Sequence, residues 1–215
     1  MRTVSMICGM VLAAAVCSGC LRKDEVHAIY LSPSGVVWSV IERNVRSDET
    51  APSARFQEEH DYVLAAGAGV HPMAQDFRRL GAQSVTTTWL RRERPYSVLT
   101  DAHFADIRQL ALALLRGAQA QGDATLTRDG CQTRFGLHVE IDPAPDAPEG
   151  SALHDLVTDL DAYRLVLVDG TFVSADGFEI REDGTIAVPD AKKTASDGIL
   201  TLALAWTDGS CAPAK

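Results

Sequence analysis

The chain has 215 residues, of which 46% are hydrophobic and 23% charged, and these values are typical of a folded protein rather than a disordered one. Its formal net charge is −9 at pH 7. Nucleic-acid binding needs a dense basic surface, so this charge argues against a nucleic-acid partner. The length suits a single hydrophobic core of ordinary size.

The first twenty residues have the layout of an export signal. Arg2 follows Met1, an apolar run occupies 4–16, and a Cys-Ser-Gly-Cys sequence closes the segment at 17–20. A basic start, an apolar middle and a small-residue exit are typical of a secretory signal peptide. The apolar run has about 13 residues, whereas a transmembrane helix needs about 20. Residues 1–19 are therefore predicted to be a signal peptide that is removed.

The Ser-Gly-Cys ending of this segment resembles the lipobox of bacterial lipoproteins, in which the signal is cut before a cysteine whose thiol carries lipid. The resemblance covers residues 1–20 only, and it departs from the family at Cys17, where an aliphatic residue is usual. It implies an exported protein held on a bacterial membrane by fatty acyl chains, such as palmitate, at Cys20. Leu21 replaces the Asp that signals inner-membrane retention in some lipoproteins, which favours the outer membrane facing the periplasm. Secretion without a lipid is the alternative.

Export leaves two cysteines as free thiols in the mature chain. Cys8 and Cys17 leave with the signal and Cys20 is the lipid site, so Cys131 and Cys211 remain in a compartment that permits disulfides. A bridge between them closes a loop of roughly 80 residues and stabilises the fold by about 4 kcal/mol in the chain-entropy model. The alternative is two buried, unpaired cysteines. The pair lacks the ligand spacing of a zinc site.

The fold is predicted to begin after a short tether at 20–25. Strands at 26–31 and 36–45 flank a Ser-Pro-Ser-Gly sequence whose composition is typical of a tight turn. Apolar residues occupy both faces of the second strand, which predicts an interior position in a sheet. One face carries Trp38 and Val40, and the other carries Val37, Ile41 and Val45.

Two helices are predicted next. The first covers 53–66 and has an apolar stripe expected to face the core, with His60 at its edge; the stripe consists of Phe56, Val63, Leu64 and Gly67. The second begins at Pro72, is capped by His71 and ends before Gly81.

The clearest helix of the chain follows two more strands, at 84–92 and 96–99. Thr100 or Asp101 is predicted to cap it, with His103 at its head. Its inner stripe has a 3.6-residue period and consists of Phe104, Ile107, Leu110, Ala111, Leu114 and Ala118.

The C-terminal half is predicted to be rich in β-hairpins because Asp-Gly, a strong hairpin signal, occurs six times after residue 122. One hairpin joins 124–127 to 131–141, and a last strand covers 199–206. A tight meander is predicted between them, with strands at 165–168, 172–174, 178–180 and 185–188. The resulting fold class is α+β, a mostly antiparallel sheet with about three helices packed on one side. We predict one domain over 26–215, and a subdivision near 142–150 is the alternative.

A row of potential metal ligands lies on one predicted strand. Alternation places His138, Glu140 and Asp142 on the face opposite the apolar residues. An imidazole and two carboxylates can hold a divalent metal or move a proton. The alternative is an ordinary solvated strand face, since residues two apart stand about 7 Å from one another.

A second candidate site joins basic and aromatic side chains. Trp89, Arg91, Arg92, Arg94 and Tyr96 lie at the junction of two predicted strands. Guanidinium groups and aromatic rings can bind an anionic glycan or an acidic protein surface. A solvated strand end is the alternative.

No common catalytic motif is present: the chain has no nucleophile elbow, zinc-protease helix or phosphate-binding loop. We therefore expect a membrane-anchored envelope lipoprotein without assigned activity, acting as a binding or scaffold module for an envelope protein or glycan. No cofactor is expected for such a module. The alternatives are a metal-assisted enzyme built on the His138 strand face, and a carrier that holds a small ligand between the helices and the sheet.

Overall fold

The computed structural model describes residues 21–118, 120–140, 163–190, 195–196 and 199–209. Within them the helices are α1 (Pro52–Gly67), α2 (Pro72–Arg79) and α3 (Ile107–Gly117). None of these helices is both long and apolar enough to cross a membrane. The strands are β1 (Leu21–Ser32), β2 (Gly35–Ser47), β3 (Ser84–Arg91), β4 (Tyr96–Phe104), β5 (Gln121–Asp129), β6 (Gln132–Glu140), β7 (Tyr163–Leu167), β8 (Thr171–Asp176), β9 (Phe178–Arg181), β10 (Ile186–Pro189), β11 (Ala195–Ser196) and β12 (Ile199–Thr207).

These strands form two sheets. Sheet A has seven strands in the order β3-β4-β2-β1-β7-β10-β9, and sheet B has the order β11-β12-β6-β5 with β8 also paired to β12. The β1–β7 pair is parallel, and the other pairs are antiparallel. The predicted α+β class with a mostly antiparallel sheet is confirmed, although sheet A is mixed.

The first hairpin extends further than predicted. β1 starts at Leu21, which lies opposite Ser47 of β2, so the stretch predicted as a tether already belongs to sheet A. We call this end of sheet A, where β1 begins and β2 ends, the anchor end. Gly35 follows the turn with a φ of 137°, and a Cβ there would approach the carbonyl oxygen of Phe104 to 2.8 Å, so glycine is required.

β2 lies between β1 and β4, as its two apolar faces indicate, but a bulge changes its alternation near the anchor end. Between the Glu42–Val98 and Val45–Tyr96 pairs, two residues of β2 oppose one residue of β4, and Asn44 adopts a φ of 55°. One extra residue moves every later side chain to the opposite face. Val45 is therefore buried on the side of Trp38, and its predicted position beside Ile41 is wrong.

Helix α1 presents a different face to the sheet from the one predicted. Its buried residues are Glu59, Tyr62 and Ala66, whereas Phe56 is 69% exposed and Leu64 is 58% exposed. The prediction of an inward apolar stripe is wrong because polar contacts, described below, fix the orientation of α1. His60 is exposed as well, and its ring stacks on Phe56 at 5.7 Å between centroids.

The start of α3 also differs from the prediction. Thr100, Asp101 and His103 continue β4, and the helix is capped by Asp106, whose Oδ1 accepts a hydrogen bond of 2.7 Å from the backbone N–H of Gln109. The segment pairs with both β2 and β3, which favours strand over helix there. Helix α2 follows the prediction, since Pro72 opens it and Gly81 follows its end with a φ of 87°.

The predicted meander is not one continuous sheet. β7 and β10 belong to sheet A, whereas β8 between them pairs with β12 of sheet B. The chain crosses between sheets after Asp169, where Gly170 has a φ of 104°. A Cβ there would lie 1.9 Å from the carbonyl oxygen of Thr207, so this Asp-Gly step permits close packing between strands rather than a hairpin turn.

The main core lies between the two sheets and α3. Trp38 and Trp206 are both buried there, and Phe77 of α2 contacts Trp38 edge-on at 5.0 Å. Other buried members are Ile29, Leu31, Phe104, Ile107, Leu110, Phe135, Val139, Leu165, Phe172, Phe178, Leu200, Leu202 and Leu204. A second, smaller cluster at the anchor end consists of Val45, Tyr62, Ala66 and Val98.

Two phenylalanines on the helices test this arrangement. Phe77 is 1% exposed and Phe56 is 69% exposed. Phe77→Ala is expected to lower the free energy of unfolding by about 4 kcal/mol because it leaves a core cavity. Phe56→Ala is expected to change it by less than about 0.5 kcal/mol. Urea unfolding measures both, and equal losses for the two variants would contradict the orientation of α1.

Candidate functional site

A charged cluster lies inside the anchor end of sheet A. We call it the Glu42 cluster and define it as Lys23, Glu25, Glu42, Tyr62, His71 and Thr100. Glu42 continues the inward alternation of Val36, Trp38 and Val40 along β2, so the strand itself carries a carboxylate into the interior. Its side chain is 0% exposed. A carboxylate buried in this way needs several hydrogen-bond partners to remain charged.

Three elements supply those partners. Lys23 of β1 forms an ion pair with Oε1 of Glu42. The hydroxyl of Tyr62 on α1 donates a hydrogen bond of 3.1 Å to Oε2. Nε2 of His71, which immediately precedes α2, lies 3.3 Å from the same oxygen. One carboxylate therefore joins β1, α1 and the start of α2 to β2.

His71 does not cap α2 as predicted. It occupies the N-cap position, but its side chain makes no capping hydrogen bond. Instead the buried imidazole reaches Thr100 of β4, with 3.0 Å between Nε2 and Oγ1. Because Nε2 faces a carboxylate, it carries the proton. Nδ1 of His71 is buried and has no hydrogen-bond partner among the described residues.

Glu25 extends the cluster along β1. It lies directly opposite Glu42 in the β1–β2 register, and Lys23 contacts both carboxylates, at 2.7 Å from Glu25. Nε2 of His27 lies 3.2 Å from Glu25, and Nδ1 of His27 accepts a hydrogen bond of 3.2 Å from the indole N–H of Trp38. The indole can only donate, so the proton of His27 lies on Nε2 and points to Glu25.

The cluster shifts the pKa of its members. Burial alone would raise the pKa of Glu42, but the His71 hydrogen bond and the charge of Lys23 outweigh it and lower the pKa. The His27 hydrogen bond, aided by Lys23 and opposed by burial, lowers the pKa of Glu25 to about 2. Burial opposes the charged form of Lys23, yet the charge of Glu42 raises its pKa overall. Burial and the Glu42 charge raise the pKa of Tyr62 well above its usual range.

Further polar contacts hold α1 on the anchor end. Oε1 of Glu59 accepts a hydrogen bond of 3.0 Å from the backbone N–H of Ser47, and Nη2 of Arg94 lies 3.0 Å from the same oxygen. Glu58 accepts a hydrogen bond from the hydroxyl of Ser47. Together with the Tyr62 hydrogen bond, these contacts turn the polar side of α1 towards sheet A. Phe56 and Leu64 on the other side of the helix are therefore exposed.

The basic and aromatic residues proposed from the sequence divide into three groups. Trp89 and Tyr96 contact each other edge-on at 6.3 Å and pack on the smaller core cluster. Arg94 pairs with Glu59. Arg91 and Arg92 are exposed, and neither forms an ion pair within the part of the chain that the structure describes.

Two of these residues line a surface depression of about 700 Å³, within the roughly 300–1,000 Å³ range of ligand pockets. It lies between α1 and β3, and we call it the α1–β3 depression. Its lining combines an aromatic residue, Trp89, with a cationic one, Arg92, which suits a partly anionic ligand. Its residues are Val63, Gly67, Thr87, Thr88, Trp89 and Arg92.

The metal-ligand row is described only in part. His138 and Glu140 are both exposed on β6, and Nδ1 of His138 lies 3.4 Å from the hydroxyl of Thr201 on β12. Asp142 lies outside the described residues. Among the residues that are described, no group of three or more His, Cys, Asp or Glu side chains is arranged to hold a metal ion.

Cys131 is disulfide-bonded, and its partner lies outside the described residues. The backbone N–H of Asp208 donates a hydrogen bond of 3.2 Å to the carbonyl oxygen of Cys131. Cys211, the partner predicted from the sequence, lies outside the described residues, three positions after Asp208 in the chain. The identity of the partner stays a prediction.

The apolar cavity between the sheets and α3 is small within the part of the chain that the structure describes. A wholly apolar cavity between the sheets and α3 has a volume of about 90 Å³, and its wall includes Trp38, Leu114, Phe135, Tyr163 and Leu202. Pockets for drug-sized ligands have volumes of about 300–1,000 Å³. This volume does not favour the carrier hypothesis. Neither Glu42 nor His71 lines this cavity or the α1–β3 depression.

No protein-family model matches the chain, and no curated protein matches it significantly. Among solved structures, the folded domain of the Mycobacterium tuberculosis LppM protein is 13% identical with a TM-score of 0.36, covering 88% of this chain and 91% of that one. The Danio rerio Fcho1 Mu homology domain with bound Eps15 peptide is 10% identical with a TM-score of 0.20, covering 86% and 79%. Neither likeness assigns the chain a fold or a function.

Sequence reasoning missed the Glu42 cluster. One signal was available, because Glu42 stands two residues after Val40 on the inward stripe of β2. A charged residue in such a position is buried with a partner or marks the end of the buried face. Lys23, Tyr62 and His71 lie at separations of 19, 20 and 29 residues from Glu42 in the chain, and no local pattern joins them.

Removing the charge of Glu42 tests the cluster. Glu42→Gln is expected to lower the free energy of unfolding by about 3 kcal/mol, because Lys23 and His71 lose their shared buried carboxylate. Glu93→Gln is the matched control, since Glu93 is exposed in the β3–β4 connection, and no change is expected there. Chemical unfolding at neutral pH measures both, and a loss below about 0.5 kcal/mol for the first variant would contradict a structural role.

The pH dependence of stability tests the other carboxylate. The pKa of Glu25 is about 2 in the folded chain and 4.5 as its ordinary value, so its contribution is complete above the ordinary value and is lost as the pH falls towards 2. The free energy of unfolding of the wild type is expected to fall over this window. Glu25→Gln is expected to show a smaller slope, measured by unfolding at several pH values, whereas an unchanged slope would rule out the His27 and Lys23 contacts.

Proposed function

We propose that the chain is an exported, lipid-anchored binding module of a bacterial envelope, with the α1–β3 depression as its ligand-binding surface. The observation that carries the binding role is the concave wall to which Trp89, Arg92 and Thr88 contribute. Its partner class is an envelope protein or an envelope glycan. The Glu42 cluster serves this surface by holding α1 against sheet A, because Tyr62 of α1 donates to the buried carboxylate.

The anchoring role is supported by the order of features along the chain. The lipobox-like sequence ends at Cys20, and β1 begins at the next residue, opposite Ser47. Acyl chains on Cys20 would hold the anchor end of sheet A at the lipid surface. Anchoring at a membrane takes more than one acyl chain or a second attraction, and multiple acylation of the cysteine meets that need. The outer membrane, facing the periplasm, is the proposed location because Leu21 replaces the retention Asp.

Mass spectrometry and fractionation test the anchor. The mature wild-type chain is expected to begin at Cys20, to carry fatty acyl groups and to remain with the membranes. Cys20→Ser is expected to abolish acylation and membrane retention. Cys17→Leu restores the usual family residue and is expected to keep both. A mature wild-type chain that starts elsewhere or carries no lipid would contradict the anchoring role.

Cross-linking in intact cells tests the binding role. Wild-type protein is expected to recover a specific envelope partner, and Arg92→Glu is expected to lose it because the charge in the depression is reversed. Arg164→Glu, an exposed reversal on β7, is the matched control and is expected to retain the partner. Equal recovery by all three proteins would contradict the assignment of the surface.

A further inference from the structure

β3 is an edge strand of sheet A, and its bulge, between Trp89 and Arg91, and its one charged residue, Arg91, both lie at its C-terminal end. It pairs with β4 on one side, and within the described ranges no strand pairs with its other side. Residues 84–90 contain no charged residue and no proline. Edge strands normally carry charges, prolines or bulges that prevent further pairing. The opposite edge, β9, is only four residues long and includes Glu179 and Arg181.

The α1–β3 depression runs beside this edge. Its wall combines Val63 and Gly67 of α1 with Thr87, Thr88 and Trp89 of β3. A groove between an edge strand and a helix is the setting in which an extended peptide adds a strand to a sheet. The backbone groups of the edge supply hydrogen bonds, and the groove accepts alternate side chains of the peptide.

Two polar groups at the depression have no partner among the described residues. The hydroxyl oxygen of Thr87 is buried and makes no hydrogen bond among the described residues. The guanidinium group of Arg92 is exposed without an ion pair there, and Arg91 is similar. A guanidinium binds a carboxylate through paired N–H donors, so the exposed Arg92 can hold an acidic group of a ligand.

We infer that the α1–β3 depression binds an extended polypeptide segment, which pairs with the free edge of β3 and places a carboxylate beside Arg92. This inference rests on the proposed function of the same surface and names its ligand class. A glycan can stack on Trp89 and contact Arg92, but it cannot continue the regular backbone ladder that the uncharged edge offers. The carboxylate belongs either to an acidic side chain or to a free C-terminus.

Filling the depression is the direct test, and the chain offers a matched pair of glycines for it. Gly67 is the last residue of α1, and a Cβ built there meets nothing within 4 Å. Gly117 is the last residue of α3, and its Cβ makes only an ordinary contact of 3.8 Å with Leu80. Gly67→Phe places a ring in the depression, whereas Gly117→Phe leaves the depression unchanged. Both variants are expected to fold.

The probes are ten-residue peptides selected from a random library on the full acylated chain in nanodiscs. The selected peptides are expected to bind Gly117→Phe like wild type and Gly67→Phe about tenfold or more weakly. N-methylation of alternate amides along one edge of the peptide is expected to weaken binding by about tenfold or more, because ladder hydrogen bonds are lost. The same modification on the other edge is expected to have little effect. Replacing acidic residues by amides, or amidating the C-terminus, identifies the source of the carboxylate.

Several results would overturn the inference. It fails if no selected peptide is sensitive to Gly67→Phe, or if N-methylation of the two edges has equal effects. It also fails if sedimentation shows a dimer of wild type that Gly67→Phe abolishes, because a second copy then occupies the edge. If acidic oligosaccharides bind with the same Gly67→Phe sensitivity and peptides do not, the proposed function stands and the peptide inference falls. If neither class of probe binds, both fail.

Discussion

A single buried carboxylate organises the anchor end of this fold. The alternation of β2 places Glu42 in the interior. Its carboxylate forms an ion pair with Lys23, accepts a hydrogen bond from Tyr62 and contacts Nε2 of His71. These partners come from β1, α1 and the segment before α2. Removing a carboxylate from water is costly, and the cost is met only when all of its partners are in place. The side chain of Glu42 therefore couples the positions of the β1–β2 hairpin, α1 and α2.

The orientation of α1 follows from this coupling. Tyr62 and Glu59 must face sheet A to reach Glu42 and Ser47, and Phe56 and Leu64 then face solvent. Each exposed apolar side chain forgoes about 1.5–3 kcal/mol of burial free energy. If α1 were turned to bury them, the donors at the anchor end and the buried carboxylate would lose their partners, and this loss would cost more free energy than the burial gains. The same orientation opens the depression between α1 and β3, so the buried polar contacts shape the exposed surface.

Local signals in the sequence were sufficient for much of the fold. The β1–β2 turn, the α2 boundaries at Pro72 and Gly81, and the β5–β6 hairpin depend on residues close in the chain, and the structure agrees with them. The predictions were wrong where contacts between residues distant in the chain determine which way a side chain faces or which sheet a strand joins. The bulge at Asn44 reverses the facing of Val45, and Gly170 sends β8 to the other sheet because Thr207 lies against it.

The candidate site was predictable only in part, for the same reason. Trp89 and Arg92 were identified from their composition and spacing, and both line the α1–β3 depression. The opposite wall comes from α1, whose orientation depends on side chains about twenty residues away in sequence. No single-sequence pattern records that a tyrosine on a helix meets a glutamate on an earlier strand, so the depression itself could not be predicted.

The ionisation of Glu42 is the property on which this account depends most directly. Carboxyl ¹³C NMR titration, with the resonance assigned by its loss in Glu42→Gln, measures its pKa in the folded chain. The account predicts a midpoint below the ordinary value of 4.5, because the contacts with His71 and Lys23 outweigh burial. A midpoint above that value would mean that burial dominates and that the partners do not hold the charge, which would contradict the coupling of α1 and α2 through Glu42.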